Sequence, residues 1–197
     1  MKLSGITKGT GFAHKVRLGI VRLAQGEGPS DVVRALFYRP ELFGAQIGHY
    51  CHALLRGPSE WTLGERELFA TFISHCNSCE FCTGAHRAVA NRALGATVVD
   101  AVLADYRTAP VSPAVRAVLE FLDKLSKQPT KVDSEDAQRV LSQGVSVGAL
   151  ETAVHIAAVF NVINRVADAL GFDIPAASVF AKEAEVLLKR GYKPMPF

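Results

Sequence analysis

Helix starts and stops recur along this 197-residue chain while strand-like alternation is almost absent, a pattern that restricts it to an all-α fold. Ser30 is placed to cap a helix through Val32, Val33, Leu36 and Phe37. Pro40 begins the next, which carries Leu42, Ile47, Leu54 and Leu55 until Gly57-Pro58 stops it. Thr62-Leu63-Gly64-Glu65 is a capping box, in which hydroxyl and carboxylate each satisfy a free amide at a helix start. The helix it opens contains Glu67 and buries Leu68, Phe69, Phe72 and Ile73. The polar segment Ser74–Ser78 then predicts a break. Asn77, with Glu80 three residues on, reads as a second capping pair, so the following helix holds Cys79 in its first turn and ends at Gly95. Thr97 and Ser112-Pro113 start two more helices, and Asp133 or Ser134 caps a short one that stops at Gly144. Ser146 opens the longest, which runs to Gly171. Asp173 and Pro175 begin a last amphipathic helix ending at Gly191, with Tyr192 opening a tail to Phe197.

A hydrophobic content of 49% over this length fits one full-sized core. The net charge of +3 is small and its basic residues are scattered, which gives no footprint for nucleic acid. The first thirty residues carry several cations but no apolar core of a secretory signal, and the expected location is cytoplasmic. The longest apolar stretch, Ala153–Ile163, is interrupted by His155 and Asn161. It reads as a buried helix, too short to span a bilayer, and no membrane partner is expected. A mean hydropathy of +0.16 suggests a helix face covered by a second copy in a homo-oligomer.

Three of the four cysteines fall in Cys76-Asn77-Ser78-Cys79-Glu80-Phe81-Cys82, with Glu67 upstream and His86 downstream. In a chain expected to be intracellular, such a cluster points to redox or metal chemistry rather than to structural disulfides. On a helix Cys79, Cys82 and His86 share one side, and the helix N-terminus favours thiolate while Glu80 opposes it. If the chain folds back at Ser74–Ser78, Glu67 comes alongside His86 and the thiols, giving a carboxylate–imidazole–thiol chain of the kind that activates a nucleophile.

Other readings of the same residues stand beside this one. Cys76, Cys79, Cys82 and His86 make a possible zinc set, although along one continuous helix they would span ~15 Å. Buried cysteines can also be inert small hydrophobes. Glu67 could form a surface pair with Arg66 or Arg87, and His75 could serve as a relay histidine or be a solvated helix end. His49 and His52 share a helix face away from Cys51 and read as surface or interface histidines. Asn161, Asn164 and Arg165 on an apolar helix read as structural, satisfying buried backbone groups or bridging subunits.

Leu63-x-Glu65-Arg66-Glu67, followed by Ser74-x-x-Asn77-x-Cys79-x-x-Cys82 and His86, resembles the core motif of alkylhydroperoxidase D (AhpD)-like proteins of the carboxymuconolactone decarboxylase superfamily, with the peroxidase-related branch as the best match. The resemblance is specific between Leu63 and Gly95 and looser over residues 30–170, where Asn161 and Asn164-Arg165 also fit. It divides the chain into an N-terminal arm, 1–29, an AhpD-like helical domain, 30–172, and a C-terminal helix and tail, 173–197. What it implies is an all-α homo-oligomer whose CxxC pair reduces hydroperoxides, with electrons from a dithiol partner such as a lipoylated protein and with no haem, flavin or metal cofactor. Cys82 resembles the peroxide-attacking cysteine, Cys79 its partner in a disulfide, and Glu67 and His86 members of the proton relay. The best-known members also carry a histidine immediately before the second cysteine, where this chain has Phe81.

The residues alone favour Cys79 as nucleophile, because it is nearer the helix start. The resemblance favours Cys82, one turn from His86, and that assignment is followed. Two further functional classes stay open. One is a non-catalytic redox sensor. The other is a decarboxylase acting on a lactone acid, suggested by the superfamily name, from which the thiol pair points away.

Overall fold

The computed structural model describes residue 6, residues 11–25 and residues 30–193. Helices account for most of them, with no strand among the described residues: α1 (Phe12–Gln25), α2 (Asp31–Tyr38), a π turn (Pro40–Gly44) leading into α3 (Ala45–Arg56), α4 (Leu63–Cys76), α5 (Glu80–Leu94), α6 (Ala96–Asp105), α7 (Pro113–Lys127), a 3₁₀ turn (Pro129–Lys131), α8 (Ser134–Leu141), α9 (Val147–Leu170) and α10 (Ala177–Arg190).

The predicted caps at Thr62, Ser112, Asp133 and Ser146 each accept a backbone N–H from the first turn of their helix, and the Thr62–Glu65 box closes in both directions. Ser30 occupies the N-cap position without a side-chain bond. Elsewhere the boundaries differ from the sequence reading. The helix expected from Thr97 starts at Ala96, directly after Gly95, and the last begins at Ala177 rather than at Asp173–Pro175. The stretch read as an N-terminal arm contains helix α1, and residues 194–197 of the tail lie outside the described residues.

Helix α4 and helix α5 form a hairpin joined by only Asn77, Ser78 and Cys79, and they share the most extensive helix–helix interface among the described residues. Ten of the fourteen residues of α4 are buried, so it is the central element rather than an amphipathic surface helix. Helix α9 crosses it and also packs on α3, α7 and α8. Helix α9 has the bounds read from Ser146 and Gly171, and at 24 residues it could by length and composition alone cross a membrane. Its buried face, with Ile156, Phe160 and Ile163, lies in this core.

Phe69, Phe160, Leu55, Leu68 and Ile73 are among the largest fully enclosed side chains, each contributing roughly 1.5–3 kcal/mol of apolar burial. Helix α10 lies along α5, and Gly84 allows the approach. A Cβ there would stand 2.6 Å from the ring of Phe180.

Candidate active site

The α4–α5 connection is fixed by side chains from a distant helix. Asn77 closes α4, and its side-chain amide donates to Asn161 Oδ1 at 2.9 Å and Asn164 Oδ1 at 2.8 Å, while Asn164 Nδ2 donates to Ser74 Oγ at 3.1 Å. Asn77 does not cap α5 as its spacing to Glu80 predicted, because it closes α4 in a helical conformation and Cys79 holds the N-cap position of α5. Asn161 and Asn164 meet side chains here, where the sequence reading offered buried backbone groups as partners. Arg165 is exposed. Ser78 takes a left-handed conformation, φ +57°, and Cys79 N–H donates to the Ser74 carbonyl at 3.0 Å. The chain thereby reverses within three residues and leaves Cys79 as the N-cap of α5.

Cys79 and Cys82 are free thiols, 1% and 3% exposed, within hydrogen-bond reach of each other. The Cys82 S–H donated to Cys79 holds the Cys79 thiol below its ordinary range, against burial and against Asp168. The same bond, together with burial, pushes Cys82 well up. Of the two, Cys79 is therefore the thiol that ionises more readily. Asp168 opposes charge on Cys79 most directly, whereas the Asn164 amide favours it on Cys82.

One turn beyond Cys82, His86 reaches back to α4, and its Nδ1 lies 2.8 Å from Glu67 Oε2. Glu67 is fully buried, and its other oxygen meets Arg56 Nη1 at 2.6 Å. Burial works to raise this carboxyl, but bonds and charge from His86 and Arg56 outweigh it and hold Glu67 below its usual range. The alternative considered from sequence, a surface pair of Glu67 with Arg66 or Arg87, is not what the structure has. Instead Arg66 binds the Leu54 and Gly57 carbonyls at the end of α3, Arg87 pairs with Asp100, and Arg56 is the cation that neutralises Glu67.

A further partner comes from the tail. Tyr192 donates its hydroxyl to Glu67 Oε1 at 2.8 Å, stands 3.2 Å from His86 Nδ1, and stacks its ring on His86 with centroids 5.7 Å apart. The other face of the imidazole region is closed by Phe160, edge-on at 4.6 Å. His52, read as a surface or interface histidine, accepts the Tyr192 backbone N–H on Nδ1 at 3.2 Å. Arg56, Tyr192 and His52 were all missed as site residues by sequence reasoning. The one local signal was Gly191-Tyr192 directly after a helix.

The remaining candidates lie elsewhere. Cys76 turns toward α7, donating to Asp123 Oδ1 at 3.6 Å, and burial pushes its thiol up to about 12. Cys51, beside Glu67, is likewise held up at about 12 by burial. Among the described residues, no three His, Cys, Asp or Glu side chains converge as a metal site, so Cys76, Cys79, Cys82 and His86 do not form the zinc set considered from sequence. His75 is exposed and lines a shallow cleft of about 220 Å³ with Ser78, Thr83 and Arg87. Phe81 packs edge-to-face on Phe172 and Phe180, at 5.2 and 5.9 Å, in an apolar cluster beneath α10.

Residues 41–124, which include all of this hairpin, match the Carboxymuconolactone decarboxylase family. No curated protein matches the chain. Among solved structures, it is similar to an uncharacterized peroxidase-related protein from Ralstonia eutropha JMP134, an alkylhydroperoxidase AhpD core, with 27% identity and a TM-score of 0.71 over 85% of this chain and 87% of that one. An uncharacterized peroxidase-related protein from Silicibacter sp. TM1040 gives a TM-score of 0.72 at 24% identity, covering 82% of this chain and 84% of that one. The debrominase Bmp8 in its apo form gives 0.70 at 19% identity, covering 89% and 95%, a likeness of fold.

Proposed function

This chain is an AhpD-like member of the carboxymuconolactone decarboxylase superfamily, and we propose that it reduces hydroperoxides through a Cys79–Cys82 dithiol/disulfide cycle. The observation that carries the reading is the Glu67–His86 pair, buried one helical turn from two thiols within hydrogen-bond reach of each other. A carboxylate that fixes the imidazole through Nδ1 leaves Nε2 as the basic nitrogen, the arrangement a proton relay requires.

The cycle begins with a proton shift. The relay takes the Cys79 proton, the proton in the Cys82 S–H···Cys79 bond then moves to Cys79, and the Asn164 amide stabilises the Cys82 thiolate that results. Cys82 sulfur then attacks the terminal peroxide oxygen, the O–O bond breaks, and the alkoxide leaves as an alcohol after taking a proton from the relay. The Cys82 sulfenic acid condenses with the Cys79 thiol to form the disulfide and water. An external dithiol donor, such as a lipoylated protein, restores both thiols and is itself oxidised to a disulfide, which balances the two electrons given to the peroxide.

We further propose a homo-oligomer located in the cytoplasm. Phe12, Val16 and Ile20, spaced four apart on α1, leave an apolar stripe exposed, and Val147 and Val162 do so on α9.

The test is peroxide consumption with a dithiol donor by wild-type protein and by Cys82→Ser. Turnover that disappears in the variant is expected. The near-complete burial of both thiols favours a second reading, a redox sensor that oxidises reversibly without fast turnover. Reversible disulfide formation without consumption would select it. A decarboxylase that used only the relay would keep its activity in Cys79→Ser.

A further inference from the structure

Glu67 has two polar partners beyond His86, Arg56 and Tyr192, and Tyr192 is brought in by a turn that glycine makes readily. Gly191 ends α10 at φ +64°, a conformation that disfavours any side chain, and a Cβ there would lie 2.6 Å from His52 Nδ1. This reversal turns the chain back over the end of α3. His52 holds the Tyr192 amide, the Arg56 guanidinium sits 4.9 Å from the centre of the phenol ring, and the hydroxyl reaches both Glu67 oxygens, at 2.8 and 3.1 Å. Packing alone would be met by phenylalanine. The hydroxyl is aimed at the one carboxylate that the relay depends on.

We propose that Tyr192 is a positioning residue of the relay, its hydroxyl holding Glu67 ionised and oriented so that Oε2 stays on His86 Nδ1. The proposal rests on the reading of Glu67 and His86 as a proton relay. With Nδ1–H donated to Oε2, the tyrosine hydroxyl donates to Oε1 alongside Arg56, so Oε1 has two donors and the carboxylate cannot rotate away from the histidine without losing both. The tail therefore supplies a polar group to the relay from the opposite end of the chain, while Phe81, where the best-known relatives carry a histidine, faces the apolar cluster.

The test uses Tyr192→Phe, which keeps the ring, with Arg92→Ala as the control that loosens α10 by breaking the Arg92–Glu185 pair without touching the relay. Charged and titratable groups coupled to Glu67 are Arg56 and Cys51 from α3, Arg66 from its own helix, His86 from α5 and Tyr192 itself. Loss of a donor to the charged form raises a carboxyl, so the Glu67 titration midpoint, followed by carbon-13 NMR, is expected to rise by about one unit in Tyr192→Phe and to stay put in Arg92→Ala. Peroxide turnover is expected to lose about tenfold in kcat with KM unchanged. An unmoved midpoint overturns the proposal, and so does a moved midpoint with unchanged kcat. A midpoint that moves in a protein whose wild type turns over no peroxide sinks the peroxidase reading and upholds the tyrosine's hold on Glu67.

Discussion

Glu67 and His86, 19 positions apart on two antiparallel helices, meet at 2.8 Å in the interior because the chain reverses within the three residues between α4 and α5. Replacing Glu67 by Gln keeps the shape but removes the charge that balances Arg56. The expected stability loss is about 3–5 kcal/mol by urea denaturation, since a buried cation is left without its partner. Turnover is expected to fall by about 10²-fold or more, measured by peroxide consumption under conditions where the variant is folded. A variant as stable and active as wild type would remove Glu67 from the relay.

The same carboxylate gives the fold an acid limit. Its folded pKa lies below the ordinary value of 4.5, so its stabilising contribution is fully present above that value and is lost as pH falls through the lower folded one. Urea midpoints of the wild type are therefore expected to decline below about pH 4.5. The decline should be shallower in Glu67→Gln, which has no such group to protonate. Parallel pH profiles for the two proteins would contradict this.

Local sequence marked the parts of the fold that depend on local chemistry. Thr62, Ser112, Asp133 and Ser146 cap helices where their spacing predicts, while the break expected over Ser74–Ser78 falls later, at Asn77–Cys79, because Ser74–Cys76 remain in α4. What stayed hidden depends on partners far along the chain. Asn77 reads as a cap of α5 but closes α4 and donates its amide to Asn161 and Asn164, and nothing near Arg56 or Tyr192 announces that each ends on a buried glutamate contributed by another helix.

Phe81 offers a test of whether position in the motif or surroundings decide function. Its ring is packed against Phe172 and Phe180, so Phe81→His puts an imidazole in an apolar cluster without reaching the relay. The expected result is a loss of roughly 1–3 kcal/mol of stability and no gain in peroxide turnover. Faster turnover at retained stability would show that the position is wired to the chemistry.

Asp168 opposes negative charge on the thiol pair, most directly on Cys79. Asp168→Asn is expected to lower the acidity threshold of the pair and to speed iodoacetamide alkylation near pH 7 by a few-fold, an amount limited by the exposure of the carboxylate. An unchanged or slower rate would contradict the electrostatic account of the pair.

The most direct test is thiol mapping by mass spectrometry after one equivalent of hydroperoxide is added to the fully reduced protein. The account predicts a Cys79–Cys82 disulfide with Cys51 and Cys76 still reduced, because Cys51 is buried, Cys76 is half-buried against Asp123, and both are held up at about 12. It also predicts sulfenic acid trapped on Cys82 in Cys79→Ser and none on Cys79 in Cys82→Ser. Bound zinc with no oxidation, or oxidation confined to Cys51 or Cys76, would contradict it.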